Sequence, residues 1–112
     1  MVWLNEAPVS DIAPLKGAPL VSLTLHRTKV QDLSPLAGCS TLERLHIAET
    51  PISDLTPIAD MKLTRLIFTP GRITRGLDHA RGMESIREIG LELESKMTPY
   101  EFWSSYDADE FK

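Results

Sequence analysis

The chain has 112 residues, 42% apolar and 25% charged, a balance that supports a buried core and excludes a disordered tail. No apolar run approaches the ~20 residues that a helix needs to cross a bilayer. The net charge of −4 leaves no basic stripe for duplex nucleic acid, and the single cysteine, Cys39, excludes an internal disulfide and a cysteine-based zinc cluster.

From the N-terminus, Val2-Trp3-Leu4 has the pattern of a strand tail, with Val2 aligned to Leu23 and Leu4 to Leu25. The full phrase follows as Leu20-Val21-Ser22-Leu23-Thr24-Leu25 and recurs as Leu42-Glu43-Arg44-Leu45-His46-Ile47 and Leu63-Thr64-Arg65-Leu66-Ile67-Phe68. A looser copy is Ile86-Arg87-Glu88-Ile89-Gly90-Leu91. Positions one, four and six are apolar, and the last three alternate as a short strand does. So few extended residues per turn leave no room for a hairpin. Each turn must pair with the next, in parallel, and the leucines of successive turns must share one core.

Between the strands a second phrase keeps step: Val9-Ser10-Asp11-Ile12-Ala13-Pro14-Leu15, Val30-Gln31-Asp32-Leu33-Ser34-Pro35-Leu36 and Ile52-Ser53-Asp54-Leu55-Thr56-Pro57-Ile58. Proline suits the first position of a short helical turn. Ser34 and Thr56 are placed to cap that turn, and Asp11, Asp32 and Asp54 to hold the preceding bend through backbone N–H groups. One carboxylate per ~4.8 Å layer is too sparse for calcium, which takes six to eight oxygens. In the last return segment Arg75 replaces the Asp and His79 the Pro, so that coil is expected to be irregular.

The linked phrases Leu-x-x-Leu-x-Leu-x-x-Thr-x-Val/Ile-x-Asp-Leu-x-Pro-Leu resemble the leucine-rich repeat family, in the ~22-residue class of bacterial internalin-like proteins. The resemblance covers roughly residues 2–91. It implies an α/β solenoid, a right-handed superhelix with parallel strands on the concave face and short helical turns or loops on the convex face. The family places Asn three residues after the last strand leucine, where this chain has Ala7, Thr28, Thr50 and Gly71. A hydroxyl has one donor where the amide has two, so a weaker ladder between turns is expected there.

Residues 1–91 are read as the solenoid, of about four coils with the first incomplete, and residues 92–112 as a C-terminal cap with a short amphipathic helix. The incomplete first coil suggests a piece of a longer protein with an exposed strand edge at which copies could self-associate. Thr98-Pro99-Tyr100-Glu101 reads as a capping box with proline at the first helical position. Phe102, Trp103 and Tyr106 form an aromatic stripe facing the last coil, with Asp107, Asp109 and Glu110 toward water. This ending also resembles the tails of bacterial repeat arrays attached to serine/threonine kinases, although no kinase signature is present.

The alignment sets three lateral rows on the concave sheet: Ser22, Arg44, Arg65, Glu88; then Thr24, His46, Ile67, Gly90; then His26, Ala48, Thr69, Glu92. Arg27 and Glu49 also fall side by side. Ser22, Thr24, His26, Arg44, His46, Arg65, Ile67, Thr69 and Glu88 are the candidate partner-binding residues, with the Arg44–Arg65 pair suited to an anionic group on a protein partner. His26 and His46 lie on adjacent strands without a third metal ligand. Cys39 has no aligned base, and Gly71-Arg72-Ile73-Thr74-Arg75-Gly76 lacks the Lys-Ser/Thr ending of a phosphate loop. No acid, base and oxyanion donor converge, so no enzyme, cofactor or metal is expected. The expected function is non-catalytic protein–protein recognition. The alternative is a regulatory or spacer segment at the C-terminus of a larger signalling protein such as a kinase. The free thiol favours a cytoplasmic setting.

Overall fold

Apolar side chains that recur at positions one, four and six of each phrase fix one strand per coil, and five such strands lie among the described residues. In the computed structural model, which describes residues 2–3, 10–16, 19–37, 39, 41–92 and 96–108, the strands are β1 (Val2–Trp3), β2 (Ser22–Thr24), β3 (Arg44–His46), β4 (Arg65–Ile67) and β5 (Glu88–Gly90). They form one parallel sheet in sequence order. The register matches the alignment: Val2 pairs with Leu23, Ser22 with Arg44, Arg44 with Arg65 and Arg65 with Glu88. The backbone ladder continues beyond the strands, where Glu43 N–H donates to Val21 O, Thr64 N–H to Glu43 O and Arg87 N–H to Thr64 O. Leu4, Ala7, Val9, Asp109 and Glu110 lie outside the described residues.

Alternation sends every second strand residue into a single interior. Leu23, Leu45, Leu66 and Ile89 stack there with at most 1% exposure, and Leu25, Ile47 and Phe68 form the next tier. The return segments contribute Val30 and Ile52, Leu33 and Leu55, and Leu36 and Ile58 to the same cluster. A coil of ~22 residues gains on the order of 10 kcal/mol from burying such side chains and loses at least as much backbone entropy, so each coil depends on its neighbours.

Three return segments carry 3-10 turns at Ala13–Leu15, Ser34–Leu36 and Thr56–Ile58, each with proline at its start. The aspartates cap them. Asp11 accepts from Ala13 N–H, Asp32 from Ser34 N–H and Asp54 from Thr56 N–H, at 2.8–2.9 Å. The expectation that Ser34 and Thr56 do the capping is corrected: neither hydroxyl caps its turn, and Ser34 Oγ instead donates to Asp32 Oδ2. The carboxylate lies two residues upstream and accepts without competing as a donor.

The fourth return segment departs as its sequence suggested. It folds into a 3-10 turn at Pro70–Arg72 and a short helix, α1 (Leu77–Arg81). Arg75 bridges in parallel to Asp54, and Gly76 takes φ +81 where a Cβ would come within 2.7 Å of the Thr56 backbone nitrogen. Thr28 and Thr50 are buried and turn inward on their own coils, donating to Leu25 O and Ile47 O. Where Gly71 offers no hydroxyl, Arg72 reaches back 2.9 Å to Thr50 O on the previous coil.

After β5 the chain reverses. Met97 makes an antiparallel bridge to Ile89, and α2 (Pro99–Asp107) then packs against the end of the array. Thr98 and Glu101 form the full reciprocal capping box. Phe102 is fully buried with its ring 5.5 Å from that of Phe68, and Trp103 is 8% exposed. Tyr106 is half-buried against the same cluster, an arrangement consistent with a cap. Arg81 ties α1 to α2, pairing with Asp107 and lying 5.2 Å from the Trp103 ring centre.

Candidate partner-binding face

The side chains that alternate away from the core lie in lateral rows, because parallel strands in this register place equivalent positions ~4.8 Å apart. At the strand starts Ser22, Arg44, Arg65 and Glu88 form the expected row. Arg65 Nε donates to Glu88 Oε1 at 3.2 Å, and Lys96, just after the reversal, holds Glu88 Oε2 at 3.7 Å. Both oxygens of Glu88 are thereby engaged. Lys96 stands outside the repeat phrase, so no alignment could have placed it. Arg44 is half-buried and has no ion-pair partner among the described residues.

The middle row is closed to solvent. Thr24 is 8% and His46 9% exposed, and Ile67 is fully buried. Ile67, expected to contact a partner, is corrected to a buried position: it stands between His46 and Gly90 in the sheet and presents no surface to a partner. Ser22, at 7%, is nearly as enclosed. The accessible charge lies on either side of this closed strip.

The third row is knitted together. Glu49 Oε2 receives His26 Nε2 at 2.7 Å and Arg27 Nε at 3.2 Å, while Glu49 N–H donates to Thr69 Oγ1 at 2.9 Å. The hydrogen bond from His26 is the main influence holding the Glu49 carboxyl below its usual range, helped by the Arg27 charge and opposed by partial desolvation. Arg27 and Glu49 adopt φ +60 and +58, an unusual conformation for side-chain-bearing residues that turns each chain out of its strand. The rings of His26 and His46 lie 4.8 Å apart, and His46 Nδ1 accepts from Ala48 N–H. Glu92 is exposed on the last coil.

Among the described residues no group of three His, Cys, Asp or Glu is placed to hold a metal ion. Each of Asp11, Asp32 and Asp54 is engaged by the backbone of its own turn. Cys39 is half-buried, its Sγ near Leu20 O and Thr41 Oγ1. Arg72 and Gly76 of the glycine-flanked loop serve the packing of adjacent coils. Among the described residues no helix is long and apolar enough to cross a membrane.

No family model matches the chain, and no curated protein matches it. Solved structures do. An internalin (inlF) from Listeria monocytogenes superposes with a TM-score of 0.64 at 28% identity, over 79% of this chain and 26% of that one. Internalin C2 from the same organism gives a TM-score of 0.64 at 26% identity, over 75% of this chain and 38% of that one. The chain is an internalin-like leucine-rich repeat solenoid. It spans 26% and 38% of the lengths of those two internalin chains.

Proposed function

We propose that this internalin-like array is a non-catalytic recognition module whose protein partner docks on the concave sheet. The contacts are Arg44, Arg65 and Glu88 on one side of the closed strip and His26 and Thr69 on the other, with Ser22, Thr24 and His46 forming the floor between them. The observation that carries this reading is Arg44, a half-buried arginine in the first row of the sheet without an anion among the described residues. An arginine fork with no anion of its own offers an incoming carboxylate two parallel N–H donors.

The test is charge reversal. Arg44→Glu combined with Arg65→Glu is compared with the unmodified chain for capture of its partner, beside a back-face control, Gln31→Glu. The expected result is loss of capture by the double variant at nearly unchanged melting, with capture retained by the control. Capture undiminished by the reversal would overturn the assignment of this face.

A further inference from the structure

The charges on the sheet face do not balance, and the imbalance has an address. Among the described residues, the first row and its ion pairs hold Arg44, Arg65 and Lys96 against one carboxylate, Glu88, within a chain whose net charge is −4. Glu88 is committed at both oxygens and stands two strands from Arg44, a distance of ~10 Å at the spacing of a sheet. Across the closed strip, Glu49 is held by His26 and Arg27. Glu92 lies on the coil of β5, beyond β4 from Arg44. The lateral neighbours of Arg44 are Ser22 and Arg65, neither of them an anion.

Arg44 is a half-buried residue without a counter-ion, and its guanidinium fork is the one uncommitted cation of this row among the described residues. We propose that the sheet face takes an acidic polypeptide segment and seats one of its side-chain carboxylates on Arg44, a specification that rests on the recognition role proposed above. The match is one to one. A guanidinium presents two parallel N–H groups at the spacing of a carboxylate. A phosphate dianion is the poorer fit, because it calls for a second uncompensated cation and Arg65 already serves Glu88. The enclosed middle row provides a floor without carboxylates, and the excess positive charge of the first row steers an acidic segment toward it.

The experiment uses the full chain and a fluorescein-labelled peptide that alternates Glu with Ser, read by anisotropy. Its comparison probes are the same peptide with Gln for Glu and one with phosphoserine for Glu. The Glu peptide is expected to bind, to weaken in ~1 M salt where screening acts beyond about 3 Å, and to bind Arg44→Gln roughly ten-fold less well. Arg87→Gln, which removes an exposed cation elsewhere, should leave binding unchanged. The Arg44 Nε–Hε resonance of the unmodified chain should shift on titration with the Glu peptide, a readout that needs no variant to fold. Equal affinity for the Glu and Gln peptides, preference for the phosphoserine peptide, undiminished binding by Arg44→Gln or a silent Arg44 resonance would each overturn the proposal. If the Glu peptide fails while the double charge reversal still abolishes partner capture, the acidic class falls and the recognition role stands. If capture also survives the reversal, both fall.

Discussion

The ring of Phe102 lies 5.5 Å from that of Phe68, joining a helix of the C-terminal segment to the last full tier of the solenoid interior. Both side chains are fully buried, so α2 shares the core of the repeats and is more than an appendage on their surface. Phe102→Ala is expected to cost about 3–5 kcal/mol, the range for an aromatic removed from a packed interior. Urea unfolding measures it, and a loss below about 1 kcal/mol would mean that the helix does not seal the array.

Gly76 and Gly71 offer a matched contrast. At Gly76 a methyl group meets backbone atoms of Leu55 and Thr56 within 3 Å at positive φ, whereas at Gly71 nothing lies within 4 Å. Gly76→Ala should therefore destabilise by more than the ~1–2 kcal/mol of left-handed backbone strain alone, and Gly71→Ala by little. Thermal melts of the two variants side by side decide it; equal shifts would contradict the close approach.

Thr50 is 1% exposed and its hydroxyl donates to Ile47 O. Thr50→Val keeps the shape and removes the donor, so a loss of about 1–3 kcal/mol is expected for the orphaned carbonyl. Thr28→Val should cost less, since Leu25 O also accepts from the Thr28 backbone N–H and keeps a partner when the hydroxyl is removed. Chemical denaturation of both variants provides the check, and a neutral outcome in each would show the bond to be dispensable.

Acid should weaken the fold. Backbone and side-chain hydrogen bonds from Thr56 hold Asp54 below its usual carboxyl range, and the hydrogen bonds from His26 and Arg81 do the same for Glu49 and Asp107. A carboxyl with a depressed folded-state pKa contributes stability above its unfolded pKa and loses that contribution as pH falls through the folded value. The melting temperature is expected to decline on entering and passing below the ordinary carboxylate range, less steeply for Asp54→Asn. Stability that rises with acid would contradict the sign.

Arg81 bridges two helices through Asp107 and Trp103, all at the surface end of the molecule. Because the pair is well exposed, Arg81→Leu should change melting little. It should nevertheless uncover Trp103, making its fluorescence more accessible to acrylamide. Unchanged quenching would show that the guanidinium does not shield the indole.

The strands and their register were legible because the leucines that define them also build the core: Leu23, Leu45 and Leu66 pair as aligned. The lateral rows followed from the same register. What the phrases did not carry was access and local hydrogen bonding. Ile67 occupies an outward position and is still fully buried, a consequence of its neighbours on the sheet and not of its place in the repeat. The aspartates bond backbone N–H groups as their spacing indicated, whereas Ser34 and Thr56 do not cap, since a fixed acceptor two residues upstream already takes the turn's N–H. Lys96, which takes the second oxygen of Glu88, lies beyond the last periodic leucine, where spacing has nothing to say.

The antiparallel bridge between Met97 and Ile89 gives the two rims of the sheet different characters. A strand running the same way as its predecessors is a template for another; a strand of opposite sense occupies that template and withholds it. At the β5 rim an incoming coil, or a stray chain from a crowded solution, would have to evict Met97 and the helix behind it before it could bond. A single reversed residue pair thus stands where a further parallel coil would have to bond.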